Sequence, residues 1–361
     1  RVAARKQAMS YGRRDPQHDF GCNPCSEIIL RPYQFCNLTE VVVREGDDYN
    51  AICQKVKIAT ILGTAQATLT NFPYLRKIWK KNTEEERLLG VSLTGIMDNI
   101  MMSGKGKESR KNLPNILERL RMTAVETNLE YSKKFKIPAS TAITCVKPSG
   151  TVSQLCNSAS GIHARHSRFY VRTVRGDNKD PLTQFMQNQG IPSEPCVMKP
   201  DTTTVFSFPM RSPDSCVTRH HMSAIEQLEM WLIYQRHWCE HKPSVTVSVK
   251  SDEWVDVGAF VFKNFDEMSG VSFLPYDDHV YQQAPYQDTI SAEQSWQLGV
   301  STSEKGKNIP FTIEHYNAMK SKMPDSIDWT KLAEFEKEDT TKSSQTFACS
   351  GDSCEIVDIG A

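Results

Sequence analysis

The sequence predicts an α/β protein, and three observations carry the prediction. Amphipathic helical patterns and short runs rich in β-branched residues follow one another along most of the chain. The composition, 39% hydrophobic and 24% charged, is that of an ordinary globular protein. The length, 361 residues, allows one large core or two domains.

The first element of interest is GCNPCSEIIL, residues 21–30. Asn23, Cys25 and Glu27 stand at alternate positions ahead of an apolar run. In an extended segment that spacing turns all three side chains to one face, so that an amide, a thiol and a carboxylate converge. A helix is expected from about Tyr49 to Leu69, and a buried strand with a following turn over LLGVSLTGI, residues 88–96. MMSGKGKES reads as a glycine-rich loop. An amphipathic helix follows from about Leu113 to Phe135, then a strand, TAITCV, from Thr141 to Val146. SRFYVRTVR is a strand ending near Arg175, and a helix from Asp180 is closed by Gly190. SAIE, with Ser223 and Glu226, fits a capping box and opens a helix reaching about His241. PSVTVSV is a strand of β-branched residues directly after it. Short charged helices are expected from about Glu293, and EKEDTTKSSQTF has the composition of a linker.

Forty-three basic residues balance forty-three acidic ones, so no bulk field favours DNA, RNA or a membrane surface as partner. No apolar run approaches the roughly 18 residues of a membrane span, and the first residues lack a signal peptide's apolar segment. A cytoplasmic location is expected. The chain opens on Arg1 and reads as a piece of something longer.

Eleven cysteines, odd in number and irregularly spaced, do not form the framework of a secreted disulfide protein. Cys53, Cys145, Cys156 and Cys239 lie in apolar stretches and are read as buried structural thiols. The pair Cys22 and Cys25 has the C-x-x-C spacing of a zinc site but lacks a second pair. The strand-like IIL that follows argues against a thioredoxin-type dithiol, which needs a helix N-terminus. KPSGTVSQL follows a strand and looks like a helix opening. Free N–H groups there, Gly150 and the hydroxyls of Ser149, Thr151 and Ser153 suit an anion, although such starts are commonly plain caps. Cys349 and Cys354 flank Gly351 on a polar arm, where they can close a small disulfide loop or be incidental.

NPCSEIILRPYQFCNLTEVV resembles the finger loop of ribonucleotide reductases, and KPSGTVSQLCNSASGIHARHSRFYVRTVR, residues 147–175, resembles that family's phosphate loop. WCEHKPSVTVSV, VSFLPYDDHVYQQAPYQ and ACSGDSC resemble stretches of its adenosylcobalamin-dependent, monomeric, ribonucleoside-triphosphate reductase branch. The resemblance covers nearly the whole chain but only about the C-terminal half of a complete reductase. It implies the second half of a ten-stranded α/β barrel with a central finger loop and a flexible C-terminal tail. Residues 1–292 would form the half-barrel, 293–336 a peripheral helical segment and 337–361 the redox tail.

The implied activity is reduction of ribonucleotides, expected to be triphosphates, with adenosylcobalamin as cofactor. Cys25 would carry a thiyl radical, Glu27 would take the proton of the 3′ hydroxyl, and Asn23 would hold the substrate hydroxyls. Cys36 would supply reducing equivalents together with a cysteine from an N-terminal half of the reductase, the expected partner polypeptide. Cys349 and Cys354 would relay electrons from thioredoxin or a similar dithiol. Pro148, Ser149, Gly150, Thr151, Val152 and Ser153 would hold the substrate phosphates, with Lys147 as a helper. Cys36 follows Cys25 by the compact interval of the cobalamin branch, and no Tyr-Tyr pair of the di-iron branch is present. A fragment of a di-iron reductase large subunit, and a non-catalytic nucleotide-binding or dithiol regulator, are the competing readings. Two features depart from the pattern. Cys22 stands where a non-thiol residue is expected, and Asp277 and His279 begin a D-x-H-x-x-G motif that Gln282 does not complete, so no metal ligand is assigned. The reading also expects the Cys25 sulfur to be turned away from bulk solvent.

Overall fold

The computed structural model describes residues 1–276, 283–290 and 311–336. In chain order the elements are α1 (Val2–Ser10), β1 (Gly21–Cys22), β2 (Ile29–Leu30), β3 (Asn37–Val42), α2 (Tyr49–Gln66), α3 (Lys77–Glu86), β4 (Leu89–Thr94), α4 (Ile100–Ser103), α5 (Lys107–Phe135), β5 (Thr144–Cys145) and α6 (Gly150–Leu155). They continue with β6 (Phe169–Asp177), α7 (Pro181–Asn188), β7 (Ser193–Pro195), β8 (Thr203–Arg211), α8 (Ala224–His237), β9 (Val245–Val249), α9 (Trp254–Asn264) and β10 (Val271–Pro275). β11 (Tyr286–Ile290), β12 (Phe311–Thr312), α10 (Ile313–Lys322) and α11 (Leu332–Phe335) complete the described set. Two compact units divide these elements: residues 1–165 with 215–276, and residues 166–214 with the described residues beyond 282. The stretch 1–292 therefore contributes to both.

The first unit is built on parallel strands. β3, β4 and β5 pair in parallel, with Leu38 opposite Gly90 and Ser92 opposite Cys145. β9 and β10 pair in parallel from Val245 opposite Val271. A parallel bridge between Val146 and Pro243 joins the two sets, through Val146 N–H to the Lys242 carbonyl (3.2 Å) and Ser244 N–H to the Val146 carbonyl (2.9 Å). The strand order is thus β3-β4-β5-β9-β10, with helical connections as parallel pairing requires. β4 is buried along its whole length, which explains its nearly continuous apolar run.

One face of this sheet carries the core. Val41, Val43, Leu89, Val91, Leu93, Val245 and Val247 pack against Ile52 and Val56 of α2, Leu113, Leu117 and Leu120 of α5, and Leu228 and Trp231 of α8. Local signals fix the helix ends. Asp48 caps α2 by accepting from Ala51 N–H (2.8 Å), and the capping box of Ser223 and Glu226 closes the start of α8. The second unit holds a five-stranded sheet in the order β12-β11-β6-β8-β7. β6 and β8 form its long antiparallel pair, from Phe169 opposite Arg211 to Asp177 opposite Thr203.

Several boundaries differ from expectation. MMSGKGKES is not simply a loop: Asn99 caps α4 by accepting from Met102 N–H (3.0 Å), Gly104 closes it at φ 61°, and α5 starts at Lys107, well ahead of Leu113. The strand expected over 141–146 is reduced to Thr144–Cys145 plus the bridge at Val146. α8 ends at His237, short of His241, because the chain turns there to begin the link to β9.

Candidate functional site

GCNPCSEIIL folds as a hairpin. β1 and β2 pair antiparallel, with Cys22 opposite Ile29, and residues 23–28 form the turn. This corrects the extended alternation read from the sequence. Pro24 restricts its own φ, and Ser26 adopts a left-handed φ of 62°. The chain reverses there, so Asn23 and Glu27 meet across the turn instead of lining one face of a strand.

Asn23 closes that turn with both ends of its amide. Its Oδ1 accepts from Ile28 N–H (3.0 Å), and its Nδ2 donates to the Glu27 carboxylate (2.8 Å). Its backbone carbonyl accepts from Ser26 N–H (2.9 Å). Glu27 is 3% exposed and is held in place by this amide. Cys25, between them, is exposed at the tip. That departs from the expectation of a sulfur turned from solvent: the tip of the turn projects beyond the backbone bonds that anchor its base. Cys22 is also exposed, and its thiol reaches the Ser26 hydroxyl at 3.5 Å.

The base of the hairpin is tied to the sheet by three neighbours. Lys242 N–H donates to the Glu27 carbonyl (2.9 Å). Ile29 N–H donates to His241 Nδ1 (3.3 Å), and His241 Nε2 donates to the Leu89 carbonyl (2.9 Å). The Ile29 carbonyl accepts from Arg14 (2.9 Å), whose guanidinium is itself held by both Glu86 oxygens (2.8 and 2.9 Å). Close approach to β4 depends on a missing side chain: a Cβ on Gly90 would stand 3.0 Å from Ile28 Cδ1 and 2.4 Å from Leu38 Cδ2.

Leu38, Gly90 and the hairpin lie on the sheet face opposite the helices, and Cys36 precedes Leu38 by one strand repeat. Cys36 is half-buried, and that burial pushes its thiol's pKa up. The same environment includes Arg14, Glu27 and Lys147 as its charged neighbours. The structure therefore brings Asn23, Cys25, Glu27 and Cys36 into one region. Cys145 joins them: it is buried, as expected, but its sulfur would touch a Cβ on Gly90 at 3.4 Å and so faces the hairpin side. Cys239 is buried, whereas Cys53 and Cys156 are only partly so.

KPSGTVSQL leaves the end of β5 and enters α6, as its sequence suggests, but α6 has only six residues. Lys147 N–H donates to the Ser92 hydroxyl on β4 (2.9 Å). Gly161 takes a φ of 53°, and a Cβ there would fall 2.3 Å from the Lys147 carbonyl, so only glycine lets the following segment lie against this loop. The hydroxyls divide. Ser149, at φ 54°, is 5% exposed and its buried Oγ lies beside the Glu40 carboxylate, Ser153 turns back to the Gly150 carbonyl (3.3 Å), and Thr151 is exposed. Pro148, Gly150 and Val152 are half-buried around them.

Glu40 was not legible as a site residue. Both its carboxylate oxygens are buried, and burial pushes its pKa up against the opposing pull of the neighbouring Ser149 hydroxyl and of Lys147. Its alternation within β3 was the only available signal. Cys349, Cys354 and His279 lie outside the described residues.

No protein-family model matches the chain. An adenosylcobalamin-dependent ribonucleoside-triphosphate reductase of Lactobacillus gasseri is 28% identical over 302 residues, covering 76% of this chain and 39% of that protein. Its counterpart from Euglena gracilis is 27% identical over 283 residues, covering 77% and 37%. The crystal structure of a B12-dependent, class II ribonucleotide reductase superposes with a TM-score of 0.68 at 22% identity, covering 87% of this chain and 44% of that one. The chain thus spans about two fifths of the length of the curated relatives it matches. Over some three quarters of its own length it is similar to the adenosylcobalamin-dependent ribonucleoside-triphosphate reductases, and the resemblance read from its motifs is borne out.

Proposed function

We propose that the chain carries the thiol hairpin and phosphate loop of an adenosylcobalamin-dependent ribonucleotide reductase, its five parallel strands forming one half of a ten-stranded barrel. The observation that carries this reading is the hairpin itself. A buried carboxylate is held by an amide across a turn that presents a thiol at its tip, in the same region as a second, half-buried thiol, Cys36. Cys25 is exposed in this chain, so the reading requires the remaining part of the reductase or the cofactor to cover the sulfur. Adenosylcobalamin, when bound, supplies the one-electron chemistry that converts the Cys25 thiol to a thiyl radical.

Ionic removal of a ribose 2′ hydroxyl is slow, because hydroxide leaves poorly and no neighbouring cation is stabilised. Abstraction of the 3′ hydrogen by Cys25 changes that. Glu27 takes the proton of the 3′ hydroxyl, and Asn23 exchanges part of its bonding within the turn for a bond to substrate. Water leaves from the 2′ carbon. Cys36 and a cysteine from the remaining part of the reductase supply two electrons and two protons, becoming a disulfide. Cys25 then returns its hydrogen to the 3′ carbon, and Glu27 returns its proton to the 3′ oxygen. The segment from Pro148 to Ser153 binds the phosphates of a ribonucleoside triphosphate, with the Ser149 hydroxyl as one donor. Cys349 and Cys354 pass electrons from thioredoxin or a similar dithiol to the Cys36 disulfide.

The test is reconstitution with the complementary N-terminal polypeptide, adenosylcobalamin, a ribonucleoside triphosphate and a small dithiol. Deoxynucleotide should form, and Cys25→Ser should abolish it. Product formation by Cys25→Ser, or dependence on a second metalloprotein in place of cobalamin, would overturn the reading.

A further inference from the structure

Among the described residues the outer edge of β2 has no strand beside it at Ile29, yet its backbone groups are satisfied. Ile29 is opposite Cys22, and the neighbouring bond runs from Asn23 N–H to the Ile28 carbonyl (3.2 Å), so the N–H and carbonyl of Ile29 point away from β1. Arg14 takes the carbonyl and the His241 ring takes the N–H. The same ring donates from its other nitrogen to the carbonyl of Leu89, the first residue of β4. We infer that His241 is a positioning residue: its neutral ring, protonated on Nε2 alone, substitutes for a strand between β2 and β4 and sets the register of the Cys25 hairpin.

Both bonds require that form of the ring. A proton on Nδ1 would face the Ile29 N–H and remove the acceptor. The surroundings favour the neutral ring, since burial and then Arg14 push the His241 pKa down to about 3, against the Leu89 carbonyl and Glu86. The imidazole is fully buried, so neither backbone group can turn to water if the ring is lost. Lys242, the next residue, bonds the Glu27 carbonyl through its backbone, so two consecutive residues grip the hairpin at two points.

The catalytic consequence rests on the proposed role of Cys25, but the tie can be measured without turnover. Amide hydrogen exchange should be followed in the wild-type protein, in His241→Phe, which keeps a ring of similar size, and in His241→Gln, which offers one acceptor and one donor. In His241→Phe the Ile29 amide should exchange about tenfold faster, the effect of one lost hydrogen bond, while Val91 and Val247 in the core strands are unchanged. His241→Gln should restore most of the protection. Wild-type protection at Ile29 in His241→Phe, equal acceleration at Val91 and Val247, or no recovery in His241→Gln would each overturn the inference. Loss of protection in His241→Phe, with a wild-type protein that makes no deoxynucleotide after reconstitution, would keep the tie and refute the reductase reading.

Discussion

Lys242 shows how strongly a single position can be forced by the fold. It is 1% exposed, and its ammonium group donates to the Glu267 carbonyl (2.8 Å). Burial pushes its pKa down to about 8, against the favourable influence of Cys239 and Glu267 and with help from Lys6. An unfolded lysine titrates near 10.4. Between about pH 8 and pH 10.4 the unfolded chain therefore binds a proton that the folded chain lacks, and stability rises with pH across that window. Below pH 8 the buried charge costs at most about 3 kcal/mol, from the shift at roughly 1.4 kcal/mol per unit. Lys242→Met should abolish this contribution. Thermal midpoints of wild type and variant should converge from pH 7 to pH 10, and parallel profiles would show that the ammonium is better solvated than its burial implies. The side chain matters here for stability, while its backbone N–H serves the hairpin, so the variant leaves that bond in place.

At the scale of elements the hairpin depends on close packing against β4. Gly90 sits opposite Leu38, and a Cβ there would press on Leu38, Ile28 and the Cys145 sulfur. The end of Leu38 is 38% exposed and can swing aside, but Ile28 and Cys145 are buried. Gly90→Val should therefore lift the hairpin and cost about 1–3 kcal/mol, the usual price of overpacking. Urea denaturation measures the cost, and faster exchange at Ile28 locates it; the same change at Gly258, which has nothing within 4 Å, should show neither. This hairpin also marks the limit of the sequence reading. The residue types at 23, 25 and 27 were legible as a chemical group, but their geometry was not, because period two describes a strand only where no turn intervenes. α2 and α8 were legible because Asp48 and Ser223 cap them within the local sequence. The pairing of β6 with β8 was not, since its partners lie 26 to 42 residues apart and no local pattern encodes them. His241 escaped notice for a related reason: its two partners, Ile29 and Leu89, are remote in sequence and are backbone groups without a residue signature.

At the scale of the whole molecule, the central issue is what the chain can do by itself. Its charges balance, so the proposed triphosphate would have to be held by local groups, and Lys147 and the Ser149 hydroxyl are those at the loop. Its parallel sheet ends in β3 and β10 among the described residues. Cys36 immediately precedes β3, and Leu38 on that strand is partly exposed, an arrangement suited to a further layer of protein. The proposed chemistry also requires a second cysteine opposite Cys36. The chain alone should then bind a ribonucleoside triphosphate weakly and yield no deoxynucleotide, while addition of the complementary N-terminal polypeptide should restore turnover with adenosylcobalamin. Within that reconstituted enzyme, replacing Cys349 and Cys354 by serine should leave turnover with a small dithiol within about twofold, because a small reductant reaches the Cys36 disulfide directly. Turnover with thioredoxin should fall by two orders of magnitude or more, because thioredoxin is itself a folded protein and needs the arm as carrier. Equal loss with both reductants would instead place these cysteines in the substrate-reducing step, and no loss with either would leave them without a role in electron delivery.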